Sequence, residues 1–277
     1  MCHSLREKLM PLNYEAIVYP AHGAGTLCGK ALSDANSSTI GEEKKTNWSL
    51  QPQTEGEFVK ELLSDQPFIP AYFSFEVALN KKGETALQEN IKKIKIGEKS
   101  PNELDRSYWI VDVRKEKDFK EGHLPHSINL MEIGKFETCL GSIIKPNEKF
   151  YLAVENQEQL QRMMERVAVI GYETSIAAAF VMENAKLHVE KINVDEFKKH
   201  TDDNTIVDAR NGKIFDSSIS IPLAEVRNRV NEIPTDKPIV VHCTGGYRSA
   251  AASSLIQSKL NGTTKVFDLG EAVKEFE

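Results

Sequence analysis

The sequence predicts an α/β protein in which helices flank central, mostly parallel sheets. Short apolar runs that fit buried strands alternate with helical patterns in the second half of the chain. This half also repeats itself, because Ile110 to Arg114 (IVDVR) is echoed 96 residues later by Ile206 to Arg210 (IVDAR). The composition is that of a globular protein, with 40% hydrophobic and 27% charged residues.

The length of the chain and its net charge limit the classes of function that the protein can have. At about 100–200 residues per domain, 277 residues provide two or three domains. A net charge of -6 offers no basic surface for nucleic acid. The apolar runs are shorter than the ~20 residues of a membrane span, and charges interrupt the N-terminus where a signal peptide would be apolar. We therefore expect a cytoplasmic protein that binds neither nucleic acid nor membranes.

The scattered cysteines are expected to be reduced thiols: Cys2, Cys28, Cys139 and Cys243.

The N-terminal part of the chain is less regular than the second half. Residues 14–19 predict a short buried strand that ends at Pro20, and a glycine-rich loop containing His22 follows. Residues 36–66 are polar and favour helix, while the prolines after them favour an extended segment. Residues 81–100 are rich in lysine and lack aromatic side chains, which predicts a linker with some helix.

Each repeat has the pattern of a strand, a loop, a second strand and a helix. A second echo, Pro146 to Lys149 (PNEK) and Pro234 to Lys237 (PTDK), precedes an apolar run in each repeat at an offset of 88 residues. Helical patterns follow at 157–170 and 248–260, and a glycine comes soon after each of them. Strands alternating with helices form parallel sheets, so we predict two copies of one domain. The predicted divisions are an N-terminal domain at 1–80, a linker at 81–100, the first repeat at 101–190 and the second repeat at 191–277.

A candidate nucleophile, Cys243, follows a buried strand of the second repeat. The residues after it, up to the start of the next helix, are Thr244, Gly245, Gly246, Tyr247, Arg248 and Ser249. The glycines allow backbone N–H groups to close around an anion, and the helix N-terminus and the arginine add positive charge. These features favour a thiolate, whereas the alternative interpretation, a small buried cysteine, does not need them.

This loop, together with Ile206 to Arg210, resembles the rhodanese domain of the sulfurtransferase family. The first repeat resembles it too, in Trp109 to Arg114 and in Glu121 to Leu130 (EGHLPHSINL), while the second repeat departs from that turn at Lys213 to Ile219. The resemblance implies transfer of a sulfane sulfur through a Cys243 persulfide, in sulfide or persulfide metabolism. It implies a small sulfur donor and a thiol, sulfite or cyanide acceptor, and neither a metal nor an organic cofactor. The implied site consists of catalytic Cys243 and Arg248 and a persulfide-binding loop of Thr244, Gly245, Gly246, Tyr247 and Ser249.

The first repeat is predicted to be catalytically silent and to pack against the second. The 88-residue echo places Glu155 opposite Cys243, so no thiol occupies the corresponding position. Cys139 precedes that position and is not expected to replace the missing nucleophile.

Two other functions compete with sulfur transfer. Cysteine-based phosphatases use a similar loop, but theirs is one residue longer than the four residues between Cys243 and Arg248. The tighter loop favours a persulfide sulfur over phosphate. The other alternative is a non-catalytic interaction module, or a fragment of a persulfide dioxygenase and rhodanese fusion that lacks its metal site.

Polar residues near the strand ends are interpreted as structural. Asp112 and Asp208 each precede an arginine by two residues, which predicts a turn cap and an ion pair rather than an acid/base pair. His123 and His126 lie in the turn that the first repeat shares with rhodaneses, and no further ligand points to a metal.

The N-terminal residues carry a second resemblance, in His3 to Leu9, Val18 to Gly25, Leu27 to Lys30 and Pro70 to Phe73. They resemble the C-terminal part of a metallo-β-lactamase-fold enzyme of the persulfide dioxygenase and glyoxalase II type. The metal cluster of that family, His-x-His-x-Asp-His, is missing, because no two histidines here are separated by a single residue. His22 matches one ligand, and one ligand cannot hold a metal ion. We expect residues 1–80 to be partly disordered or to associate with another chain.

Overall fold

The structure, a computed structural model, describes residues 1–20, 35–64, 69–83, 86–97, 103–183, 185–210 and 215–276. The chain forms two compact units, Met1–Phe68 and Ile69–Glu277. The expectations for His22, Cys28 and Lys213 fall outside the described residues.

Helices and strands alternate through most of the described chain, as the α/β class requires. The α-helices are α1 (Cys2–Ser4), α2 (Ile40–Thr46), α3 (Glu55–Leu63), α4 (Tyr72–Lys82), α5 (Leu87–Ile91), α6 (Glu116–Glu121), α7 (Phe136–Ile143), α8 (Gln157–Ala168), α9 (Val194–Lys199), α10 (Val226–Arg229) and α11 (Tyr247–Leu260). The strands are β1 (Ile17–Val18), β2 (Ser38–Thr39), β3 (Trp109–Asp112), β4 (Ser127–Asn129), β5 (Phe150–Val154), β6 (Ile176–Val181), β7 (Thr205–Asp208), β8 (Ile219–Ser220), β9 (Ile239–His242) and β10 (Val266–Asp268). Among the described helices, the longest has 14 residues, and none is long and apolar enough to cross a membrane.

The N-terminal unit contains a small antiparallel sheet and capped helices. Strands β1 and β2 pair with Ile17 opposite Thr39. Helix α3 begins with a capping box, in which Thr54 and Glu57 satisfy each other's backbone N–H groups. The strand predicted at 14–19 is present in shortened form, but its predicted burial is wrong, since Ile17 is 62% exposed. A sheet of two short strands has too little surface to bury both of its faces.

The first repeat is a four-stranded sheet in the order β4-β3-β5-β6, and all its strand pairs are parallel. Its central strands β3 and β5 are buried along their whole length, as strands covered on both faces should be. Tyr72 of α4 joins this core, and Phe75 lies edge-on to Tyr172 with the ring centroids 5.9 Å apart. Ile91 and Ile94 are also buried in it. Residues that the sequence assigned to the N-terminal domain and the linker thus bury apolar side chains on the first repeat.

The second repeat has the matching order β10-β9-β7-β8, again with parallel pairs. Strand β9 lies inside this sheet, with His242 opposite Asp208. A single cluster of buried apolar side chains contains strand residues of both repeats, including Val111 and Val241. The repeats are therefore packed together, and the predicted α/β class with two parallel sheets is confirmed.

Candidate active site

Cys243 lies directly after the central strand β9, at the edge of the sheet where the carboxyl ends of the strands meet. Ligands of open parallel sheets bind at this edge. The side chain of Cys243 is 2% exposed, while Thr244 and Gly245 are exposed. The thiol is therefore at the base of a loop whose rim faces solvent.

Two contacts connect the Cys243 thiol to the start of α11. The thiol donates to the hydroxyl of Ser249, with Sγ 3.8 Å from Oγ. The Ser249 hydroxyl in turn donates to the carbonyl oxygen of Gly246 at 3.0 Å. Because α11 is 14 residues long, its N-terminus contributes partial positive charge beside the sulfur.

The two glycines of the loop have different structural roles. Gly246 has a φ of +88° and is the N-cap of α11, a conformation that favours glycine. A Cβ on it would lie 3.4 Å from the backbone nitrogen of Glu271 and 3.4 Å from the carbonyl carbon of Gly270. A Cβ on Gly245 would meet nothing within 4 Å. The fold therefore requires glycine at 246 and tolerates a side chain at 245.

Arg210 contacts the loop, although the sequence did not predict it as a site residue. Its guanidinium donates to the Thr244 hydroxyl at 3.2 Å and forms an ion pair with Asp208 at 2.9 Å. Asp208 also accepts from the backbone N–H of Arg210 at 3.0 Å, so the predicted turn cap is present. The Asp-x-Arg pattern after β7, the strand that pairs with β9, was the signal that could have indicated this contact.

Tyr247 connects the loop to the first repeat. Its hydroxyl donates to the carbonyl oxygen of Met131 at 3.2 Å. A Cβ on Gly134 would lie 3.9 Å from the Tyr247 ring. Burial raises the pKa of Tyr247 well above its ordinary value, so the phenol stays protonated. The first repeat thus forms one side of the loop's surroundings.

Cys139, on α7 of the first repeat, is nearer to this loop than the sequence suggested. It packs against the same core cluster as Tyr247. Burial raises the pKa of Cys139 to about 11, while the positive charge of Arg248 acts on it in the opposite direction. Arg248 is itself half-buried. A second thiol, protonated at neutral pH, therefore lies in the electrostatic environment of the loop.

The corresponding position in the first repeat holds no thiol, as predicted, but the predicted alignment is off by one residue. Asp112 pairs with Ala153, and Asp208 pairs with His242, so Val154 rather than Glu155 corresponds to Cys243. The offset of 88 was wrong by one because the first repeat has one residue fewer between the Pro-x-x-Lys echo and this strand pair: six residues separate Pro146 from Ala153, and seven separate Pro234 from His242.

The backbone donors at that end of the first repeat are satisfied by side chains. Asn156, the N-cap of α8, accepts from the backbone N–H of Gln159 at 2.9 Å. The Gln159 side chain accepts from the backbone N–H of Glu155 at 2.7 Å and donates to Glu132 at 2.9 Å. Side chains therefore occupy two of the backbone N–H groups that an anion could use at this position.

The two histidines of the first-repeat turn make structural contacts. His123 stacks on Phe119 with ring centroids 4.3 Å apart, and its Nδ1 lies 3.2 Å from the Phe119 carbonyl oxygen. Burial lowers the pKa of His123 to about 4. His126 stacks on Trp109 with ring centroids 3.7 Å apart. Both rings are held by aromatic packing.

Comparison with known proteins gives the following relatives. Residues 92–180 and 193–277 each match the family model of the rhodanese-like domain. YqhL of Bacillus subtilis (strain 168) is 27% identical over an alignment of 112 residues, and the match covers 36% of this chain and 87% of that protein.

Several solved structures are also similar. A metallo-β-lactamase from Staphylococcus aureus subsp. aureus COL is 25% identical with a TM-score of 0.47, and the match covers 66% of this chain and 48% of that one. The chain thus spans about half the length of that protein. SseA from Escherichia coli, described among 3-mercaptopyruvate sulfotransferases, is 14% identical with a TM-score of 0.26, covering 66% of this chain and 94% of that one. A thiosulfate sulfurtransferase from Pseudomonas aeruginosa is 12% identical with a TM-score of 0.25, covering 67% of this chain and 40% of that one.

The assignment of residues 1–80 to a metallo-β-lactamase fold, and their association with another chain, stay predictions. The prediction of two rhodanese-like domains is confirmed, because the family matches fall on both repeats and together cover more than half of the chain. The chain belongs to the rhodanese-like domain family.

Proposed function

We propose that this chain is a sulfurtransferase that carries a sulfane sulfur on Cys243. The observation that supports the proposal best is the position of this thiol, at the base of a short loop that Gly246 joins to the N-terminus of α11. A strand end, a loop with an exposed rim and a helix N-terminus together form a site for a small anion. The burial of Cys243, which is 2% exposed, favours small molecules as donor and acceptor.

The reaction has two displacement steps. The Cys243 thiolate first attacks the outer sulfur of the donor, which is thiosulfate or a low-molecular-weight persulfide. The S–S bond of the donor breaks, the donor leaves as sulfite or as a thiolate, and Cys243 becomes a persulfide. An acceptor thiolate, sulfite or cyanide then attacks the outer sulfur, the S–S bond of the persulfide breaks, and the Cys243 thiolate is restored. Neither step uses a metal or an organic cofactor.

The loop residues stabilise the persulfide anion in this proposal. The N-terminus of α11 and the charge of Arg248 favour negative charge on the outer sulfur. The hydroxyl of Ser249 is already in contact with the Cys243 sulfur. Thr244, held by Arg210, and Tyr247, held by the first repeat, shape the mouth and influence which donor enters.

The intact mass of the chain after exposure to a sulfur donor tests the proposal. Thiosulfate and glutathione persulfide are used separately on the wild-type chain, on Cys243→Ser and on Cys139→Ser as a matched thiol control. We expect one added sulfur atom on the wild type and on Cys139→Ser, removable by cyanide, and none on Cys243→Ser. If Cys243→Ser takes up sulfur as the wild type does, the mechanism is wrong. If the folded wild type takes up sulfur from neither donor, an interaction module becomes the better explanation.

A further inference from the structure

We infer that Lys120 of the first repeat is a positioning residue for the Cys243 loop of the second. The inference rests on the proposed function and adds to it a residue outside the loop. Lys120 lies on α6 and forms an ion pair with Glu116, one helical turn earlier. Its Nζ also lies 3.0 Å from Oδ2 of Asp268, the last residue of β10 in the second repeat. The Asp268 side chain is fully buried, and that of Lys120 is 16% exposed.

Asp268 connects this ion pair to the backbone beside the loop. Its Oδ1 accepts from the backbone N–H of Gly270 at 3.0 Å. Gly270 has a φ of +58°, and a Cβ on it would lie 3.1 Å from Oε1 of Glu116. Gly270 is also the residue whose carbonyl carbon would lie 3.4 Å from a Cβ on Gly246. Contacts therefore run from Lys120 through Asp268 to Gly270, and Gly270 lies next to Gly246.

The carboxyl groups of Asp268 and Glu116 make this arrangement depend on the ammonium group of Lys120. Burial and the negative charge of Asp268 raise the pKa of Glu116. Two carboxyl groups thus share the neighbourhood of one ammonium group. Without the ammonium group, Asp268 would be a buried charge beside a second carboxyl group, which is strongly unfavourable. Loss of the ion pair also releases residue 268 from α6, whether or not residue 268 is charged, so the turn at Gly270 would shift and Gly246 would lose the surface next to it.

A set of four variants tests this inference. Lys120→Met removes the charge, and Lys120→Arg keeps it. Lys120→Met combined with Asp268→Asn removes the ion pair between the repeats without leaving an unpaired charge at position 268. This double variant keeps the test possible if Lys120→Met alone does not fold. Lys117→Met is the control, because Lys117 lies on the same helix but is 78% exposed and pairs with the exposed Glu121.

Two readouts are measured on folded protein: the kcat and KM of sulfur transfer from glutathione persulfide to cyanide, and the rate of Cys243 alkylation by iodoacetamide. Misplacing a catalytic group by about 1 Å costs up to about a hundredfold in rate, so we expect Lys120→Met and the double variant to lower kcat by about ten- to hundredfold with little change in KM. Lys120→Arg should recover most of the loss, and Lys117→Met should match the wild type.

The outcomes separate this inference from the proposed function. If the wild type loads no sulfur, the proposed function fails, and the alkylation rates alone then test the positioning. If the folded double variant has wild-type loading and alkylation rates, the inference is overturned even though sulfur transfer stands. A purely structural role for Lys120 would lower the melting temperature and leave both rates unchanged.

Discussion

Replacing Gly246 by alanine tests whether glycine is needed at this position because of its backbone conformation rather than because of the chemistry of the loop. The φ of +88° places an L-residue in a region that costs about 1–2 kcal/mol. The added Cβ would be in ordinary contact with Gly270 and Glu271, so the dihedral angle supplies most of the cost. At about 2–4 °C per kcal/mol for a unit of this size, the melting temperature should fall by about 2–8 °C. Sulfur loading of Cys243 should fall as well, because the loop and the N-terminus of α11 share this residue.

Gly245→Ala is the matched control for this prediction. Gly245 has no positive φ, and its Cβ would meet open space. Its replacement should change the unfolding free energy by no more than about 0.5 kcal/mol. Thermal unfolding followed by circular dichroism compares the two variants with the wild type. The reasoning is refuted if Gly245→Ala destabilises the chain as much as Gly246→Ala, or if Gly246→Ala melts with the wild type.

Three further predictions follow from the pKa shifts and the contacts between the repeats. The pKa of His123 is lowered from 6.5 to about 4, so the unfolded chain takes up a proton between these pH values that the folded chain does not. The free energy of unfolding, which has its full value above pH 6.5, should therefore fall by up to about 3 kcal/mol as the pH approaches 4. Urea unfolding of His123→Gln should lack this part of the pH dependence, and an equal dependence in the wild type and the variant would contradict the prediction. Cys139, whose pKa is raised to about 11, should be alkylated slowly at neutral pH and faster up to about pH 11, and rapid labelling at pH 7 by peptide mapping would contradict this. The guanidinium of Arg227 lies 2.8 Å from each carboxylate oxygen of Glu148 in the first repeat. Arg227→Ala should therefore lower the free energy of unfolding by about 1–3 kcal/mol, and Arg229→Ala, at a more exposed ion pair, by less than about 1 kcal/mol. Equal losses for the two variants in urea unfolding would contradict this prediction.

The fold of the repeats was predictable because local patterns determine it. Residues 110–114 and 206–210 are apolar runs that end in an Asp-x-Arg pattern, and these runs form the buried strands β3 and β7. The helix predicted at 248–260 begins at Tyr247, one residue earlier than expected. The position of Cys243 after β9 needed only the order of strand, loop and helix along the sequence.

Contacts between distant segments were not predictable in this way. Arg210 reaches Thr244 across 34 residues of sequence, and Tyr247 reaches Met131 across 116. Such contacts depend on how two sheets pack, and a single sequence without aligned relatives contains no pattern that reports it. The echo at 88 residues failed by one position for a related reason, since strand register is a property of the paired sheet rather than of the spacing along the chain.

The two helix starts differ in the backbone N–H groups that they leave for an anion, and the proposed site in the second repeat rests on this difference. In the first repeat, the side chain of Asn156 accepts a hydrogen bond from the backbone N–H of Gln159 in the first turn of α8, and the Gln159 side chain accepts one from the backbone N–H of Glu155, the residue before the cap. In the second repeat, the cap is Gly246, which has no side chain to offer, so the first-turn N–H groups of α11 are available to an outside acceptor. In the proposed function, glycine at the cap and one more loop residue turn a helix end capped by its own side chains into a site for an anion. Restoring a thiol alone, by Val154→Cys, should therefore leave the first repeat unable to hold a persulfide, because the donors remain occupied.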